Sequence, residues 1–126
     1  MPRVIVATQN ALKPPSSYSQ AVKAAGPVFV SGTAPADPVT GQLIEGSAGV
    51  QTAQCLRNIQ AILEAAGSSL DKPVGATIIL SDEDDFAAVN EEWLKWFPID
   101  PPARQGAKLP VRIAGLKVSI AMIAEL

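Results

Sequence analysis

The rhythm of hydrophobic and polar residues changes several times along this chain, and each change marks an element. Val4, Ile5 and Val6 form a β-branched run within residues 3–8, closed by a polar segment ending in Pro14-Pro15, which predicts a first strand. Residues 20–24 and 27–31 (PVFVS) predict two further strands joined by the short Ala25-Gly26 connection, a hairpin ended by Gly32. Asp37-Pro38-Val39-Thr40-Gly41 has turn chemistry throughout, since proline fixes φ and glycine accepts positive φ. Over residues 47–66 the period becomes helical. Cys55, Ile59, Ile62 and Ala66 recur on one stripe, widened by Leu56 and Leu63, with Gln51, Gln54, Arg57, Asn58 and Glu64 placed mostly away from it. Ser47 is the expected N-cap and Gly67 the expected stop.

After the breaker Pro73, residues 74–80 are an apolar run of strand length, stiffened by Thr77, Ile78 and Ile79. A second helix follows, with Ser81 as cap candidate, Phe86, Val89, Trp93 and Phe97 on one face, and Pro98 as its end. Asp82, Glu83, Asp84 and Asp85 sit at its start. Such a cluster either binds a divalent cation or favours the positive end of the helix dipole; the second reading is preferred and no metal is expected. Ala103–Lys108 is the next strand candidate. Beyond Gly115, Leu116, Val118, Ile120 and Met122 alternate with Lys117, Ser119, Ala121 and Ile123, predicting a last strand. The order β-β-β-α-β-α-β-β implies an α+β layer structure in which two helices cover one sheet face, leaving the other to be buried by partners.

At 126 residues the chain suits one domain, residues 1–126, with a core that needs neither disulfides nor metal. Its 48% hydrophobic and 17% charged residues leave few charges for the exterior, in keeping with a self-associating chain. A net charge of −2 supplies no basic footprint, so nucleic acid is not an expected partner. Histidine is absent, which removes Ser-His-Asp and Cys-His arrangements and the commonest metal ligand. Cys55 is alone and reads as a packing thiol. No signal-peptide pattern or membrane-length apolar run is visible, so a cytoplasmic location without membrane association is expected.

The strand Ala103–Lys108 carries the candidate chemistry. Alternation points Arg104, Gly106 and Lys108 to one side. Gly106 leaves room beside the guanidinium and exposes backbone to a ligand. Arginine's planar fork gives a carboxylate two parallel charge-assisted hydrogen bonds, so the pattern suggests a small-anion site; an arginine in a strand also serves simply as a surface or ion-pairing residue.

The ordered set Tyr18-Ser19-Gln20-Ala21, Val30-Ser31-Gly32, Asp37-Pro38 to Gly41, NIQAILEAAG from Asn58 to Gly67, DFAAVN from Asp85 to Asn90, and Pro102-Ala103-Arg104 resembles the reactive intermediate deaminase (RidA, YjgF-like) family over nearly the whole chain. The resemblance implies a chorismate-mutase-like α+β fold and a homotrimer with clefts at the subunit interfaces. It also implies hydrolysis of 2-imino acids to 2-keto acids and ammonia with no cofactor. By position it makes Arg104 the anchor of the substrate carboxylate, gives Gly106 a backbone role in placing the imine or attacking water, and sets Tyr18, Ser31, Gly32 and Asn90 along the cleft. For Asn90 the alternative is a tie between helix and loop, and for Ser31 and Gly32 a strand end. Three departures from the family pattern stand out: Ala121 where deaminases carry a water-positioning glutamate, Lys108 in place of an acidic residue, and Ser16-Ser17 before Tyr18. A trimer that binds small carboxylates or acts as a chaperone without catalysis is therefore the rival expectation. Ribonuclease activity, attributed to some relatives, fits poorly with the acidic charge balance and the missing histidine.

Overall fold

The computed structural model describes residues 2–126. Strands β1 (Val4–Val6), β2 (Ala21–Lys23) and β3 (Val28–Thr33) lead to helix α1 (Ala48–Ala65); β4 (Pro73–Leu80), helix α2 (Phe86–Trp96), β5 (Ala103–Lys108) and β6 (Val118–Ala124) follow. This is the expected α+β order. The six strands form one sheet in the order β1-β2-β3-β6-β4-β5, antiparallel except for the parallel pair β4 and β5. Parallel neighbours need a crossover, and α2 supplies it. That connection sets α2 over the β5 end of the sheet.

Local chemistry explains the turns. Ala25 and Gly26 both take positive φ, 54° and 107°, the twist a tight hairpin requires. Asp37 Oδ1 accepts from the Val39 and Thr40 N–H groups at 2.7 and 3.1 Å and closes the predicted reversal. Ser47 Oγ accepts from Val50 N–H at 3.2 Å, the expected N-cap of α1. The second helix begins later than its sequence suggests. Asp82, not Ser81, provides the cap: its Oδ1 accepts from Asp84 N–H at 2.9 Å and starts a 3-10 turn, Glu83–Asp85, that runs into α2. An aspartate carboxylate one residue further on meets the same free N–H groups and competes successfully with the serine.

Both helices lie on one sheet face. There Val28, Val30, Ile78, Val118, Ile120 and Met122 pack against Leu56, Ile59, Ile62, Leu63, Val89 and Trp93. Cys55 is buried with them as expected, its Sγ 3.7 Å from the Val118 carbonyl, and burial pushes its thiol pKa well above the ordinary value. Gln51 and Asn58 depart from expectation: both are 1% exposed, on the inner side of α1. Gln51 donates to the Ile44 and Gly115 carbonyls and accepts from Lys117 N–H, while Asn58 donates to the carbonyls of Ala34 and Ala36. They are buried because the loops beside the helix present backbone groups that need partners. On the opposite sheet face Ile5, Phe29 and Ile123 remain substantially exposed and no helix covers them.

Among the described residues, no helix is long and apolar enough to cross a membrane.

Candidate functional site at the β5 edge

Arg104 lies on an edge strand whose six residues are all exposed, in register with Ala76 of β4. Ala76 faces the helices, so Arg104 does too. Its Nη2 donates to Asn90 Oδ1 on α2 at 2.6 Å. A guanidinium offers only donors, so the amide must turn its oxygen inward. The cation also lies 5.8 Å from the Phe86 ring centre and 5.5 Å from that of Trp93, within cation–π range. Phe86, Asn90 and Trp93 are spaced i, i+4, i+7 and thus share one helix face, which forms a cradle for the guanidinium.

The cradle opens onto a cleft of about 570 Å³, with Arg104, Gly106 and Lys108 along one wall, Glu83 and Phe86 along the other, and Ile78 in its floor. The sequence alternation is therefore realised: the three strand residues share a face. Gly106 sits close against β4: a Cβ there would stand 3.2 Å from the Ile78 carbonyl, a tight contact that the neighbouring backbone would have to ease. Among the described residues no strand follows β5 in the sheet, so one edge of its backbone has N–H and C=O groups free of strand partners.

Tyr18, Ser31 and Gly32 form a second group. Ser31 Oγ donates to the Ser19 carbonyl at 2.6 Å and Ser31 N–H to the Gln20 carbonyl at 2.9 Å, tying β3 to the loop that carries the half-exposed Tyr18. Ser31 and Gly32 lie where the β3–β6 register shifts between Val30 and Thr33. Strands β6 and β4 separate this group from β5, a distance of roughly 14 Å at the usual strand spacing. One chain thus joins Arg104, Asn90 and Gly106, and separately joins Tyr18, Ser31 and Gly32.

Three cleft residues escape the sequence reading of the site. Phe86 belongs to the apolar stripe of α2 yet is 52% exposed, held out of the core to flank Arg104. Trp93 is buried but turns a ring face to the same cation. Glu83 reads as one of four dipole-facing carboxylates, whereas the 3-10 turn swings it into the cleft wall. The available signal is Asn90 itself, a polar residue between two aromatic ones on a helical face.

Known proteins share this architecture. The family profile described as Endoribonuclease L-PSP matches residues 8–126. A RutC family protein of Pyrococcus horikoshii is 46% identical over 100 residues, covering 79% of each chain. The chloroplastic Reactive Intermediate Deaminase A of Arabidopsis thaliana is 38% identical over 122 residues, 97% of this chain and 65% of its own. Among solved structures, RidA from the Antarctic bacterium Psychrobacter superposes with a TM-score of 0.91 at 36% identity, covering 98% of this chain and 99% of its own. Escherichia coli TdcF with bound serine gives 0.89 at 30% identity over 98% of both. With the profile spanning the cleft strand, the cradle helix and every strand of the sheet but β1, the chain belongs to the endoribonuclease L-PSP family, which includes the RidA and RutC proteins.

Proposed function

We propose that the protein hydrolyses small 2-imino acids to 2-keto acids and ammonia, using Arg104 to hold the carboxylate. The observation that carries this reading is the Arg104 cradle: Asn90, Phe86 and Trp93 fix one side of the guanidinium while its remaining donors stay available at the cleft mouth. A relative named Reactive Intermediate Deaminase A supports it. An anchored carboxylate fixes the imine carbon next to it, converting an encounter with water into an oriented attack.

Water then adds to the iminium carbon. A C–O bond forms, the C=N π pair moves to nitrogen, and a water proton is released to a nearby acceptor. The protonated acceptor hands that proton to the carbinolamine nitrogen; collapse then breaks C–N as an oxygen lone pair forms C=O, ammonia leaves, and the hydroxyl proton passes to the freed acceptor, giving the 2-keto acid. Free backbone at Gly106 orients the water, and the Glu83 carboxylate on the facing wall supplies a proton acceptor within the same cleft. No cofactor is needed, because the iminium is already electrophilic. The working form in this proposal is a cytoplasmic homotrimer, in which a neighbouring copy brings its Tyr18, Ser31 and Gly32 to the β5 edge and completes the cleft.

An amino acid oxidase generates 2-iminopropanoate and 2-iminobutanoate in the test, and semicarbazide traps what survives. Added protein should lower the trapped yield, and Arg104→Ala should not. Ala121 favours the rival reading, a non-catalytic trimer binding small carboxylates, since that position lacks a carboxylate. An unchanged yield at every protein concentration, together with intact 2-keto acid binding, would establish the rival.

A further inference from the structure

The cleft holds more charge than one carboxylate requires. Lys108 stands on the same side of β5 as Arg104, with Gly106 between them and no bulk to divide the space. Its strand end is fixed: Lys108 is in register with Leu80, and the next N–H, that of Leu109, donates to the Leu80 carbonyl at 2.7 Å. Lys108 is exposed and joins no ion pair among the described residues, where Lys95 and Glu92 at 3.3 Å are the pair formed. Glu83 faces the two cations across the cleft.

We propose that the cleft selects a dicarboxylic 2-imino acid, with Arg104 on the carboxylate beside the imine, Lys108 on a second carboxylate at the far end of a short chain, and Glu83 opposite the iminium. Two cations and one carboxylate in the wall mirror two carboxylates and one iminium in the ligand. Positions 104 and 108 are about 13 Å apart along a strand at the usual rise. Both side chains are long and unbranched, so their cationic ends can converge on the two ends of an extended five-carbon diacid, roughly 5 Å between its terminal carbons at ordinary bond lengths. The reaction that supplies such a substrate is two-electron oxidation of an acidic amino acid at its Cα–N bond by an amino acid oxidase or dehydrogenase. This inference rests on Arg104 being the anchor of a 2-carboxylate.

Two keto acids of equal length test it by calorimetry on the native protein. 2-Oxopentanoate carries one carboxylate; 2-oxoglutarate has the same five carbons and carries two. 2-Oxoglutarate should bind about tenfold more tightly, the return on one further charge-assisted contact at an accessible site. Raising the salt concentration should shrink that preference. Lys108→Met keeps the apolar stem and touches no core residue; it should remove the preference and leave the 2-oxopentanoate Kd unchanged. Glu83→Gln should tighten 2-oxoglutarate a few-fold, because a keto acid has no iminium to offset that carboxylate. Equal affinities in the native protein, or a preference that survives Lys108→Met, would overturn the inference while leaving Arg104 as anchor. Failure of both keto acids to bind would remove the anchor and the inference together.

Discussion

Arg104 and Ala121 occupy opposite faces of the same sheet. Arg104 reaches Asn90, Phe86 and Trp93 on the helix side. Ala121 lies between Ile120 and Met122, whose side chains are buried against the helices, and pairs with Thr77, whose hydroxyl accepts from Gln105 Nε2 on the uncovered face. Both residues border one cavity of about 480 Å³ together with Thr77 and Gln105, but their side chains leave the sheet in opposite directions, so a site in which the two side chains converge draws them from different copies of the chain.

The uncovered face gives the first prediction. Ile5, Val22 and Phe29 lie in register across β1, β2 and β3, and Ile123 pairs with Phe29, making an apolar stripe that no helix among the described residues covers. Light scattering should report a trimer at micromolar concentration. Phe29→Asp should dissociate it, because an ionised carboxylate set into an apolar contact has no partner there. A native monomer, or a variant that stays trimeric, would show that this face is not the contact.

Asn90 accepts from Arg104 at 2.6 Å, which predicts that it acts on ligand binding through the arginine. Its replacement by alanine should weaken 2-keto acid binding by about three- to tenfold, the worth of a charge-assisted hydrogen bond partly open to solvent, while Arg104→Ala abolishes it. Thermal stability should fall by less than about 1 kcal/mol, since the pair is not in the core. Calorimetry and a melting curve measure the two effects separately. Loss of binding as complete as that of Arg104→Ala would mean that Asn90 touches the ligand directly.

Periodicity made most of the fold legible, and its failures have physical causes. The alternation Val118, Ile120, Met122 predicted the buried side of β6 because a strand with one covered face leaves little freedom of register. Gln51 and Asn58 defeated the same logic on α1, since polarity reports what a side chain can bond to and not which way it faces. Their partners are carbonyls at residues 34, 36, 44 and 115, all outside the helix and, except for residue 44, more than twenty residues away in sequence. The site divides in the same way. Arg104, Gly106 and Lys108 follow from two-residue alternation within one strand. The cradle from Phe86 and Trp93 needs the β4–α2–β5 crossover, which no local pattern specifies.

Cys55 should resist thiol reagents in the folded protein and react only on unfolding, because burial holds the thiol protonated and the thiolate is the nucleophile. The same burial has a pH consequence. The folded state keeps this proton, while the unfolded chain releases it above the ordinary thiol value of 9.0. Stability contributed by the buried thiol is fully present below that value and declines as pH rises past it. Denaturant midpoints across that range, compared with Cys55→Ala, isolate the contribution. Rapid labelling of the native protein at neutral pH would contradict the burial argument.

Two carboxylate positions compete for the proton of the attacking water: Glu83, present on the cleft wall, and position 121, where alanine offers none. A positioned general base is worth about 10²- to 10⁴-fold, so a protein with a poorly placed one should hydrolyse 2-imino acids measurably but slowly. Ser119 cannot substitute at position 121, since it lies two residues along β6, roughly 6 to 7 Å away at the usual rise. Glu83→Gln should therefore lower kcat at least tenfold without weakening 2-oxopentanoate binding, separating proton transfer from carboxylate capture. Ala121→Glu should raise kcat only in the assembled protein, because within one chain residue 121 faces away from Arg104. Combining Ala121→Glu with Phe29→Asp decides between the two routes: a gain that disappears when the subunits part places residue 121 in a neighbour's cleft. A native rate that Glu83→Gln leaves unchanged and Ala121→Glu does not improve would show that backbone at Gly106 and the anchored iminium suffice without either carboxylate.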